Sequence, residues 1–172
     1  RDRRGHRPTR AEHASRPAHR SAEILDVDLS GLALELAAWG TAPAGLSFID
    51  PPPERAWREA LSLLDRLGAL DADARLTELG RTMVALPLHP RLARVLAGSP
   101  TSAACVVAAL LDDRDVLRGR ADELPADLAL RVGVVCGHVN DDRADRRAVR
   151  RARERAADLA RRLGIRFEPD SV

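Results

Sequence analysis

Residues 69–96 read A-L-D-A-D-A-R-L-T-E-L-G-R-T-M-V-A-L-P-L-H-P-R-L-A-R-V-L, and this stretch decides the fold. Ala69-Leu70 and Arg75-Leu76 bracket Asp71-Ala72-Asp73-Ala74, the pattern of a short β-hairpin with a polar turn. Thr77 then stands where a hydroxyl can cap a helix over 78–86. Glu78 sits in the first turn, where a carboxylate meets the positive end of the helix dipole. Pro87 closes that helix. Pro90 opens another over 91–97, because proline is tolerated in a first turn whose amide would lack a partner, and Gly98 ends it. In Leu86-Pro87-Leu88-His89-Pro90-Arg91-Leu92 the prolines set the chain path and the leucines fill the core. His89 is expected at the core edge.

Upstream, Asp28 can cap a helix with apolar positions Leu29, Leu32, Leu36 and Trp39, closed by Gly40. Pro51-Pro52-Pro53 leads stiffly into a helix over 54–67, with Ala56, Trp57, Ala60, Leu63, Leu64 and Leu67 as its apolar stripe. Both tryptophans are read as core. Helices plus a two-stranded wing point to a winged-helix module over 23–98. Downstream the pattern is all helical, over 101–111, about 125–139 and about 144–163. The last helix carries Ala148, Ala152, Ala156, Leu159 and Leu163 on one side and arginine elsewhere. The expected fold class is therefore mainly α: a winged-helix module with a short β-hairpin (23–98), then a helical bundle (99–165) and a tail (166–172). Residues 1–22 show no period and are read as loop or disorder. No repeat of 20–50 residues is present.

The 172 residues suffice for one or two small domains. They include 28 Arg and no Lys, a mark of GC-rich coding rather than of chemistry. The net charge of +2 hides an uneven distribution. Residues 1–20 hold seven Arg against Asp2 and Glu12, 21–139 are net acidic, and 140–172 hold ten Arg against seven acids. Basic ends can meet phosphates, although a charge run is commonly a solvated face. No apolar run approaches the roughly 18 residues of a membrane span, and the Arg-rich start is no signal peptide. Cys105 and Cys136 lie in apolar runs without CxxC spacing and are expected as buried free thiols.

Catalytic signatures are missing from the sequence. There is no GxxxxGK[ST], which a chain without Lys cannot contain, and no Asp-Glu-x-His box, GxGxxG, GxSxG or HExxH. Asp112-Asp113, with Asp115, reads as solvated carboxylates at a helix end rather than a cation site. No catalytic, cofactor-binding or metal-binding residue is assigned.

The 69–96 stretch resembles the winged-helix segment of DEAH-box helicases, G-A-L-D…L-T-x-L-G-x-x-M-A-x-L-P-L-x-P-R-L-A-x-M-L. Glu12-His13 and residues 17–25 are similar to the tail that follows the second RecA-like lobe. Leu34-Glu35-Leu36-Ala37-Ala38-Trp39-Gly40 and Phe48-Ile49-Asp50-Pro51-Pro52-Pro53 resemble the bacterial HrpB-type subgroup. Residues 108–119, with Leu110-Leu111-Asp112-Asp113-Arg114-Asp115, are similar to the start of the helicase-associated "ratchet" helices. The resemblance covers about residues 11–165. Ala74 stands where the family commonly has Gly, so the turn is expected to differ there.

The resemblance implies an accessory, C-terminal portion of an ATP-dependent RNA helicase. It would couple motor lobes to single-strand guidance, with ATP and Mg²⁺ belonging to the parent protein and none bound by this portion. A start at Arg1 rather than Met, with both ATPase lobes absent, is expected of a fragment. The implied partners are single-stranded RNA or other nucleic acid and the RecA-like lobes. A monomer in the cytoplasm is expected, prone to aggregate where docking faces lie open. Arg114, Arg118 and Arg120, beside the ratchet helices, are the nucleic-acid candidates, because guanidinium groups bond phosphate bidentately and stack on bases. Arg91 and Arg94 are candidates for interdomain or nucleic-acid contact. Two other classes remain open: a free-standing winged-helix regulator and a helical protein-interaction module. The first is weakened by a 78–86 helix with Arg81 as its one cation.

Overall fold

The computed structural model describes residues 22–120 and 122–172. The expectations for residues 1–21 lie outside them. Among the described residues seven α-helices run in order: α1 Ser30–Ala38, α2 Glu54–Arg66, α3 Glu78–Val84, α4 Pro90–Gly98, α5 Ser102–Asp112, α6 Leu128–Cys136 and α7 Arg146–Arg162. Their ends follow elementary capping chemistry. Thr77, Thr101, Asp127 and Asp145 each accept a hydrogen bond from an amide of the first turn they precede. Pro90 is the first residue of α4, and Gly137 ends α6 at φ 86°, a left-handed value that suits glycine.

Helix α1 packs on α2, α3 and α4, while α5 packs on α4, α6 and α7. Buried side chains from Leu29 to Ala160 form one connected core across both sets. Helix α7 approaches α5 closely because its inner face is a row of small residues. Ala148, Ala152, Ala156 and Ala160 are buried there, opposite a helix that buries Cys105, Ala108 and Ala109.

The wing is smaller than the sequence pattern predicts. Among the described residues no strand forms, and the expected β-hairpin reduces to a single antiparallel bridge, Leu70 to Leu76. The polar turn explains this. The Asp71 carboxylate accepts from the amides of Asp73 (3.0 Å) and Arg75 (2.9 Å), so local side-chain bonds replace a longer ladder. Ala74 takes φ 58°, the left-handed conformation a glycine would adopt there, so the turn keeps its shape at some steric cost. A second bridge, Leu117 to Ala144, ties the segment after α5 to the start of α7, which the sequence reading missed.

Trp39 departs from its expected place. It lies just past the end of α1 and is 69% exposed, while Ala33, Leu34 and Leu36 carry the buried face. Trp57 does pack against the core, half-buried. Ile49 is fully exposed in the segment between α1 and α2. No helix among the described residues is long and apolar enough to cross a membrane.

Candidate functional site

The five candidate arginines fall in different surroundings. Arg94 makes a structural contact: its Nε donates to the Leu67 carbonyl at 3.0 Å, tying α4 to the end of α2. Arg91 is exposed at the start of α4. It lines a cavity of about 340 Å³ with Arg66, Asp28 and Glu59. Arg114, Arg118 and Arg120 all lie exposed on the segment after α5, as a surface role requires. Two of them are already matched by carboxylates. Arg120 reaches Asp122 (3.1 Å) and Glu123 (3.6 Å), and Arg118 stands 3.4 Å from Asp145. Arg114 has no ion pair among the described residues, but its amide bonds the Asp113 carboxylate at 2.7 Å.

The acidic run Asp112, Asp113, Asp115 lies exposed at the end of α5, as the sequence suggests, but its charges are matched. Each is paired with an arginine from a later helix. Asp112 meets Arg155 of α7 at 2.9 Å, Asp113 meets Arg151 of α7 at 3.3 Å, and Asp115 meets Arg131 of α6 at 2.5 Å. Arg131 is the most enclosed of these, with its side chain 13% exposed. It also donates to the carbonyls of Pro125 and Asp127, so one guanidinium gathers the loop between α5 and α6. The Arg131 side chain holds the Asp115 carboxyl below the usual carboxylate range against the opposing effect of burial. No group of His, Cys, Asp and Glu among the described residues could hold a metal ion.

A second set of arginines ties α7 back to the winged-helix part. Arg155 donates to the Pro87 carbonyl at 2.5 Å, and Arg162 donates to the Ala85 carbonyl at 3.2 Å. These are carbonyls just past the end of α3, where a helix leaves acceptors unsatisfied and a cation is favoured. Long-range ties of this kind have no local sequence signal. The hint lay in charge balance, since an acidic helix end needs cations and the last helix is rich in them.

His89 sits at the junction of α1 and α4. Its Nδ1 accepts from the Arg91 amide at 3.2 Å, so the neutral ring carries its proton on Nε2. That proton faces the Asp28 carboxylate at 3.5 Å and the Ser30 hydroxyl at 3.4 Å. Ser30 is the one fully buried polar residue among those described. The imidazole therefore acts as a cap and a spacer between helices. Cys105 and Cys136 are buried free thiols, and burial pushes both above the ordinary thiol range.

Comparison with known proteins gives a consistent result. The family model of the helicase-associated (HA2) winged-helix domain matches residues 60–88. The chain is 42% identical over 108 residues to the ATP-dependent RNA helicase HrpB of Escherichia coli K12, covering 59% of this chain and 13% of that protein. It is 36% identical over 88 residues to the ATP-dependent RNA helicase HrpA of the same organism, covering 48% and 7%. It is 37% identical over 90 residues to the RNA helicase DHX33 of Drosophila melanogaster, covering 51% and 13%. Two crystal structures of E. coli HrpB superpose with TM-scores of 0.65 and 0.66, at 30% and 31% identity. Each covers 92% of this chain and 18% of that chain. The chain thus spans a small part of the length of these relatives.

Proposed function

We propose, from its standing as a helicase-associated winged-helix region of the HrpB type, that this chain couples ATP-driven motor lobes to a single strand of RNA. The winged-helix part (23–98) receives the motion and the helical part (99–165) guides the strand. ATP and Mg²⁺ belong to the motor of the whole helicase. The chain acts as a cytoplasmic monomer within that assembly.

The observation that carries this reading is the interlock between the two parts. Arg155 and Arg162 of α7 hold the carbonyls of Pro87 and Ala85, and one continuous core joins both parts through α5. A displacement applied to the winged helix is therefore passed to the helical bundle rather than absorbed by a hinge, because a close-packed interior transmits strain.

The test is a binding comparison of two ligands. Fluorescence anisotropy is measured for a labelled single-stranded RNA, a duplex DNA of the same length, and each across a salt series. The coupling reading expects the single strand to bind best, with affinity falling as salt rises. A preference for duplex DNA would support a free-standing regulator instead. No binding to either would leave the protein-interaction reading.

A further inference from the structure

The two ring nitrogens of His89 serve two different helices. His89 occupies the cap position of α4, where a first-turn amide needs an acceptor. Nδ1 is that acceptor, taking the Arg91 amide at 3.2 Å. Across the ring, Nε2 lies 3.4 Å from the Ser30 hydroxyl and 3.5 Å from the Asp28 carboxylate. Those two groups form the start of α1: the Ser30 amide donates to Asp28 at 2.7 Å, and Ser30 is fully buried. One imidazole thus completes the cap of α4 and reaches the cap of α1.

That double duty suits one protonation state. Nδ1 accepts only while it carries no proton, and a neutral ring meets this with its single proton on Nε2, facing oxygen. A second proton must go to Nδ1, and the ring then has a donor at each end. The Arg91 amide and the Nδ1–H group would face each other as two donors across 3.2 Å. The contact toward Asp28 becomes a charge-assisted pair at the same moment. A proton therefore acts with opposite signs at the two ends of the ring. The His89 side chain is 39% exposed, so protons reach it without unfolding. It borders a groove of about 390 Å³ that no arginine lines. The charged groups facing it there are Asp28, Glu35 of α1 and Asp112 at the end of α5. Asp112 is matched by Arg155 of α7. On α4 itself, Arg91 lines the neighbouring cavity with Arg66 and Glu59.

We propose that His89 is a proton-operated catch on the joint between α1 and α4. The neutral ring caps α4, and the imidazolium releases the first turn of α4 while holding α1 through Asp28. Imidazole changes its charge between about pH 5 and 8, so the catch works in that range. It needs neither RNA nor ATP. Pro87, two residues before the ring, carries the carbonyl that Arg155 holds, so the released turn lies beside the tie between the chain's two parts. Overall stability is a poor reporter, because a cap lost at α4 and an ion pair gained at Asp28 oppose each other. The readout has to be local.

The experiment is an NMR titration of the full ¹⁵N-labelled chain from about pH 8 to about pH 5. Ring-nitrogen correlations give the tautomer and charge of His89. Rapid water-exchange spectra give the protection of the Arg91 amide, corrected for the ordinary pH dependence of exchange. The neutral ring is expected as the Nε2–H tautomer. Arg91 protection should fall about fivefold, the loss of one side-chain cap, with the same midpoint as His89 protonation. His89→Asn supplies a carbonyl that caps without titrating, so its Arg91 amide should show no such fall. Asp28→Asn keeps a cap for α1 but not the charge. It should retain the change at Arg91 and lose the accompanying shift of the Ser30 amide signal. A neutral ring protonated on Nδ1 would overturn the proposal. So would an Arg91 amide that ignores His89 protonation, or one that still changes in His89→Asn. A Ser30 signal that moves in Asp28→Asn as it does in wild type would overturn the hold on α1. The wild-type titration decides the release of α4 even if a variant fails to fold.

Discussion

Gly80, in the Thr77-Glu78-Leu79-Gly80 turn, should be intolerant of a single added carbon. A Cβ built there would lie 2.1 Å from the Ala69 carbonyl oxygen and 3.0 Å from its carbon. An ordinary C···O contact needs about 3.3–3.6 Å, so α3 would have to move away from residue 69 by more than about 1 Å. That movement breaks a compact knot. The Thr77 amide donates to the Ala69 carbonyl at 3.0 Å, the Thr77 hydroxyl donates to the Gly68 carbonyl at 2.7 Å, and that same hydroxyl accepts from the Gly80 amide at 2.9 Å. Overpacking of this kind costs about 1–3 kcal/mol, and each lost hydrogen bond adds about 1 kcal/mol. The intrinsic helix gain of alanine over glycine returns only about 1 kcal/mol. With all three bonds lost, Gly80→Ala should therefore destabilise by about 3–5 kcal/mol, a fall in Tm of about 6–20 °C for a chain of this size. Gly31→Ala is the control. It is the same substitution in α1, with nothing within 4 Å of the added carbon, and it should leave stability unchanged or raise it by about 0.5 kcal/mol. Thermal denaturation of the three proteins side by side gives the comparison. The reasoning is refuted if Gly80→Ala melts within 1 °C of wild type, or if both alanine variants shift by the same amount.

Further expectations follow from the same geometry. Ala74→Gly should stabilise by about 0–1 kcal/mol, because relief of the left-handed strain outweighs the added freedom of the unfolded chain; a drop in Tm would contradict that. Arg155→Gln/Arg162→Gln should loosen the interlock, so that hydrogen exchange quickens at the amides of Leu88 and Leu92 while α6 is unaffected. Equal protection in both proteins would mean the ties carry no load. Stability should hold above about pH 5 and decline on acidification. Asp28, Asp113, Asp115, Asp122, Asp141, Asp145 and Asp158 all have folded-state pKa values below the ordinary value of 3.8, so they favour the folded chain only while ionised. The loss begins as pH falls through the unfolded value and ends near pH 2, where Asp141 takes its proton. A Tm that does not change between pH 6 and pH 2.5 would refute it.

The features legible in the sequence were the local ones. Thr77, Pro90 and Thr101 each announced a helix start, and the structure begins α3, α4 and α5 beside them. The stripe of α7 was read from its spacing: Ala148, Ala152, Ala156 and Leu159 are buried as expected, and Ala160, which the reading did not include, joins them. Trp39 was misplaced for a simple reason. Its i, i+3, i+7, i+10 register with Leu29 holds only while the helix lasts, and α1 stops at Ala38. The hairpin was overread because two leucines flanking a polar turn supply one bridge but not a ladder. Gly80 was passed over because its role depends on what lies across from it, not on its neighbours in the chain.

The arginines show most plainly where sequence reasoning ends. A guanidinium in a strand-binding site and one in a structural tie look the same in a list of residues. They separate only when the nearest carboxylates and carbonyls are known. Arg131 and Asp115 are 16 residues apart, Arg151 and Asp113 38, and Arg155 and Asp112 43, well beyond the i,i+4 reach that a helix pattern can test. Once those pairs are drawn, α7 divides by function along its surface. Its alanines fill the core, Arg151 and Arg155 neutralise the end of α5, and Arg155 and Arg162 hold the carbonyls after α3. Arg146 and Arg150 are left exposed, on a groove they line with Val134, Val139 and Val149 between α6 and α7. A helix that looked like one solvated charge run thus bonds the chain's two halves through one set of arginines and leaves the other set exposed to solvent.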